Sequence, residues 1–173
     1  MKKLPLIIFW ISRDPSPDEE KRIREYINNI RARNDVKIVM TSREKKAKEV
    51  GEKILFGRGF KVLETNWLDE IFGFENIASQ RNKVTEYFDG RMFSDIEAQE
   101  SVINRIEQIN KLVNKAKGID GSMVLVSHKG IMTMYLWKKL EAIVDPVEFY
   151  FSTSSVGGFI LPEFPFLQNS NEF

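Results

Sequence analysis

The chain has 173 residues, 42% apolar and 29% charged, as expected for a globular protein large enough to bury a real core. Its 26 basic and 25 acidic residues leave a formal charge of +1, so net charge gives no argument for binding nucleic acid, a membrane surface or a polyanion. There is no cysteine and one histidine, which excludes disulfides, a thiolate nucleophile and metal sites built on cysteine or on several histidines.

The first stretch, MKKLPLIIFWIS, has two lysines and then apolar residues, as a signal peptide would. It lacks a small-residue cleavage site and runs straight into Arg13-Asp14, so it reads as a buried strand over Leu4 to Ile11. No apolar run approaches the ~20 residues that span a bilayer, and a cytoplasmic protein is expected. Pro15 and Pro17 make a loop, and Asp18, Glu19 and Glu20 favour a helix start. Ile23, Tyr26, Ile27 and Ile30 continue at helical spacing, predicting a helix from Pro17 to Arg33. Val36 to Met40 reads as a second strand. Thr41 or Ser42 is placed to cap a helix reaching Leu55, with Ala47, Val50 and Ile54 inward. Gly57 and Gly59 break it, and Phe60 to Thr65 alternates as a strand.

Trp67 to Gly90 has aromatic residues without a sustained period and reads as turns or a short helix inserted over the site. Ser94 or Asp95 opens a helix carrying Val102, Ile106, Ile109 and Val113 on one face, to about Lys117-Gly118. Met123 to Val126 is a buried strand, Ser127-His128-Lys129-Gly130 a polar turn, and Gly130 to Ile143 a helix. After Asp145-Pro146, Val147 to Ser152 and Val156 to Leu161 read as two strands. The tail from Pro162 is aromatic and then polar, with Asn169 to Phe173 frayed. Strands alternate with helices, which predicts an α/β three-layer sandwich with a mostly parallel sheet and helices on both faces, in a single domain over 1–173.

In a parallel sheet the ends of the first, second and fourth strands share one edge, where ligands bind. Those ends carry Arg13-Asp14, Thr41-Ser42 with Lys46 nearby, and Ser127-His128. Arg13, Lys46 and His128 can converge there. The backbone N–H groups of the helix after His128 also face that crevice, and the combination suits a phosphate or carboxylate. Glu70 or Glu75 is a candidate general acid.

Taken in order, these pieces resemble the histidine phosphatase superfamily, the phosphoglycerate mutase-like proteins. FWISRDP stands where that family has a strand ending Arg-His-Gly, and MTSREKKAKEVGEK where it has Ser and then Arg-Ala four residues on. LDEIFGFEN resembles the family's Leu-x-Glu-Ile stretch. Glu97 or Glu100 with Arg105 resembles its Glu-Ser helix with a later Arg, and VLVSHKGIM is close to its strand ending Ser-His-Gly-Gly. The resemblance implies a phosphate pocket of Arg13, Ser42, Lys46 and His128, with Glu70 as acid; no cofactor or metal is expected. It also implies that Asp14 stands where the nucleophilic histidine would be and Pro15 where the glycine would be. Lys46 replaces an arginine and loses its bidentate fork.

Three functions are compatible with this. A divergent, catalytically impaired member would bind a small phosphorylated molecule or phosphate. An active phosphomonoester hydrolase would use Asp14 as nucleophile or as a base directing water, with Asp14 and Glu70 able to recruit Mg²⁺. A non-catalytic binding or assembly module, as a possible homodimer, would use the aromatic stretches as a partner surface.

Overall fold

A computed structural model describes residues 5–116, 119–161 and the backbone of 171–172. Six strands form one sheet in the order β3-β2-β4-β1-β5-β6: β1 (Leu6–Trp10), β2 (Val36–Thr41), β3 (Leu63–Glu64), β4 (Ser122–Ser127), β5 (Gly157–Leu161) and β6 (Asn171–Glu172). The four strands β3, β2, β4 and β1 pair in parallel, and β5 and β6 are added antiparallel.

The sandwich follows from the alternation of β1. Leu6, Ile8 and Trp10 point into one core, and Ile7, Phe9 and Ile11 into the other. Two helices, α1 (Pro17–Arg31) and α2 (Lys45–Leu55), cover the second face with Ile23, Ile27, Ile30, Val50 and Ile54. The first face is covered by α3 (Arg81–Phe88), α4 (Gln99–Ala116), α5 (Lys129–Lys138) and α6 (Pro146–Ser152). The predicted inner faces of α1, α2 and α4 are buried, with Tyr26 of α1 half-buried. Ser16 caps α1 in a reciprocal box with Glu19, and Pro17 sits in its first turn.

Several boundaries differ from expectation, each for a local reason. Val147 to Ser152 is helix, not strand. Asp145 accepts from the N–H groups of Val147 and Glu148, so Asp-Pro is a cap followed by the first helical residue. This turns Phe149 onto Trp10 and Tyr150 onto Phe74. Helix α5 stops at Lys138, and Glu141 in the left-handed region (φ 49°) lets Ala142 donate to the Leu136 carbonyl. Helix α2 begins at Lys45, because Ser42 is buried and spends its hydroxyl elsewhere. Of Phe60 to Thr65, only Leu63 and Glu64 pair with β2, at the sheet edge. Helix α4 starts at Gln99, after the Glu97 N–H donates to the Phe72 carbonyl; its expected end at 117–118 lies outside the described residues. The tail from Pro162 lies outside them too, except that Asn171 and Glu172, expected to fray, pair with β5.

The stretch from Trp67 to Gly90 holds two 3₁₀ turns, Asn66–Leu68 and Phe74–Asn76, and then α3. Arg105 on α4 fixes it. Its guanidinium donates to the carbonyls of Trp67 and Asp69 and forms a two-pronged pair with Glu97.

Candidate functional site

The parallel register brings the ends of β1, β2 and β4 together: Ile11 N–H donates to the Ser127 carbonyl and Ser42 N–H to the Val126 carbonyl. A cleft of about 640 Å³ opens beyond these ends. Ser12, Arg13, Asp14, Glu70, Glu75, His128 and Lys129 line it on the polar side, and Phe74, Tyr150 and Phe151 on the aromatic side. Both acid candidates therefore face one cleft, as do Arg13, Asp14 and His128.

His128 is 4% exposed and held at both ring nitrogens. Nδ1 lies 3.3 Å from the Ile11 carbonyl, which can only accept, so this nitrogen carries the proton. Nε2 lies 3.0 Å from the Ser42 hydroxyl, within hydrogen-bond distance. Ser42 thus orients the histidine from beneath.

Two N–H groups at the N-terminus of α5, those of Gly130 and Ile131, are not offered to the cleft, contrary to expectation. The Glu70 carboxylate takes Gly130 N–H at 3.0 Å and Ile131 N–H at 2.8 Å, and also Ile71 N–H at 2.9 Å. A carboxylate is the natural partner for that end of a helix, and here the chain supplies its own. A Cβ at position 130 would meet Glu70 Oε1 at 2.5 Å, so glycine there makes room for the contact.

The expected convergence of three cations does not occur. Lys46 bonds Glu20 on α1 at 2.6 Å and does not line the cleft. It sits on α2, on the face of the sheet that packs against α1. Arg13 lines the cleft, but its guanidinium lies 2.9 Å from Glu44 and its side chain is 60% exposed. Asp14 is exposed at the mouth. Behind it, Glu19 accepts from Ser12, from Ser155 at 2.6 Å and from Ser16 N–H at 3.0 Å. These hydrogen bonds, that of Ser12 first, hold its pKa down at about 2.

Lys129 and Tyr150 are among the cleft residues that sequence reasoning missed. Lys129, the first residue of α5, stands where the Ser-His-Gly-Gly pattern has glycine. Its Nζ donates to the Thr153 carbonyl at 2.7 Å and lies 4.6 Å from the centre of the Tyr150 ring. Burial lowers its pKa to about 8. Tyr150 comes from the misassigned α6; burial, and then the charge of Glu70, push its pKa up. The replaced glycine was the available signal for Lys129, and the Asp-Pro cap was the signal for Tyr150.

No family model matches the sequence, and no curated protein matches it. Solved structures do. A mycobacterial glucosyl-3-phosphoglycerate phosphatase superposes with a TM-score of 0.67 at 13% identity, over 91% of this chain and 89% of that one. A mutant phosphoserine phosphatase from Entamoeba histolytica, in complex with phosphoserine, superposes with a TM-score of 0.66 at 17% identity, over 97% and 96%. An Escherichia coli protein described as an alpha-ribazole-5'-P phosphatase gives 0.62 at 12% identity, over 99% and 95%. The chain has the histidine phosphatase fold. In this fold the cleft lies at the carboxyl edge of the parallel strands, the position expected for an open α/β sheet. The coverage in both directions means that the match extends over almost the whole length of each chain.

Proposed function

We propose that this protein is a divergent histidine phosphatase-like protein that binds a small phosphorylated or otherwise anionic molecule and is impaired in phosphoryl transfer. One observation carries the reading: the groups that would hold a phosphate are engaged internally. Glu70 fills the α5 N-terminus, Glu44 holds Arg13, Glu20 holds Lys46 and Ser42 holds His128. Asp14 supplies a carboxylate in place of a nucleophilic imidazole. An anion at the mouth of the cleft also repels a phosphate dianion. Phosphoryl transfer depends almost wholly on positioning and charge stabilisation, so both losses act on the step that matters. Glu70, with three backbone N–H groups on its oxygens, serves as a cap; the more exposed Glu75 is the freer acid candidate. The protein is read as cytoplasmic; among the described residues no helix is long and apolar enough to cross a membrane.

The test is release of inorganic phosphate from a panel of phosphomonoesters, with and without Mg²⁺. Wild type is compared with Asp14→Asn, Asp14→His and His128→Ala. The expected result is wild-type turnover at background, unchanged in Asp14→Asn. Turnover that disappears in both Asp14→Asn and His128→Ala would establish Asp14 as a working nucleophile or base and overturn the reading.

A further inference from the structure

We propose that Lys129 selects the ligand of this cleft: its ammonium takes the anionic head of a small organic monoanion whose apolar body lies against Tyr150 and Phe151. The proposal rests on the cleft assigned above and deepens it by naming the ligand class.

Two cations line the cleft, Arg13 and Lys129. Arg13 is already paired with Glu44, whereas Lys129 has no carboxylate partner among the described residues. An ammonium has three donors. One of them meets the Thr153 carbonyl, and the Tyr150 face covers another side, which leaves a donor for a ligand. A half-buried cation without a counter-ion is costly, and a bound anion would relieve that cost.

The surrounding charges limit the ligand to a single negative charge. Asp14 and Glu75 face the same space, and Glu70 lies behind it on the α5 N–H groups. From α1, Glu19 reaches Ser12 and Ser155 on the cleft wall. Tyr150, its pKa pushed up by burial and then by the charge of Glu70, stays a phenol. One available ammonium against these carboxylates suits a monoanion better than a dianion. The rings of Tyr150 and Phe151 offer contact area for an apolar body.

Binding also has a defined pH dependence. Burial holds the Lys129 pKa down at about 8, so affinity for an anion should fall as pH rises through that value.

The single histidine supplies the readout, since its imidazole proton resonances are unique in the spectrum and come from the cleft wall. Titrations would use benzoate, inorganic phosphate, and benzylammonium as the same ring with opposite charge. The expected order is benzoate tightest, with Lys129→Met weakening benzoate by at least about tenfold and Lys129→Arg retaining most of the affinity. Benzoate binding that is absent, no tighter than benzylammonium, or equal in wild type and Lys129→Met overturns the proposal. If Lys129→Met does not fold, Lys129→Gln takes its place, and benzoate affinity equal to wild type overturns the proposal. The two readings fail separately. Phosphate release by wild type, with benzoate binding still lost in Lys129→Met, would remove the impaired reading and leave the role of Lys129 standing.

Discussion

Glu70 closes the end of α5 that would otherwise face the cleft, and it does so with an ordinary capping interaction. The Glu70→Ala change removes the acceptor for two helix N–H groups that water can partly replace, so a loss of about 2 kcal/mol in denaturant unfolding is expected. The same change frees those N–H groups, and phosphate affinity measured by calorimetry should rise; unchanged affinity would mean that Glu70 does not compete with anions. At this scale the sequence was half legible. Polar residues directly after apolar strands marked Arg13, Asp14, Ser42 and His128 as residues of the site edge. The carboxylates that occupy the expected phosphate-binding groups were not legible: Glu44 takes Arg13, Glu70 takes the α5 N–H groups, and nothing local to Lys46 shows that Glu20 on α1 lies 2.6 Å away.

Among the elements, the segment over the site depends on Arg105. Its guanidinium ties the carbonyls of residues 67 and 69 to Glu97, and both side chains of the ion pair are only 15% exposed. Arg105→Met would leave Glu97 half-buried without its cation, at a cost of about 3 kcal/mol. Amide exchange should then speed most in residues 66–97 and least in β1 and β4; a uniform increase would sink this assignment of a local staple. Periodicity revealed α1, α2 and α4 because each has a long apolar stripe. It failed for α6, which has seven residues and is apolar nearly throughout, and it overran β3, where only two exposed residues of the alternating stretch pair.

Across the whole molecule, Glu19 joins three parts of the chain: the loop after β1 through Ser12, the start of α1 through Ser16, and the segment before β5 through Ser155. Its folded pKa of about 2 lies below its ordinary value of 4.5, so its contribution is complete above pH 4.5 and is lost as pH falls toward 2. Because the group is partly exposed, the effect is modest. Acid unfolding of Glu19→Gln should show a shallower loss of stability across that window than wild type, and parallel curves would remove Glu19 from the account. The sandwich and its sheet edge were legible from the alternation of strand and helix. The antiparallel additions β5 and β6 were not, because no connection length or pattern fixes their direction.

The sheet order also governs how the chain can assemble. Strand β1 lies between β4 and β5, whose first residues are 122 and 157. The five residues Leu6 to Trp10 are buried throughout, yet neither flanking strand exists until most of the chain has emerged from the ribosome. Until then LIIFW is a short, uncharged, β-prone segment with both edges open, the kind that pairs with copies of itself. Folding should be governed by this late, long-range closure, and chains ending before residue 122 should aggregate.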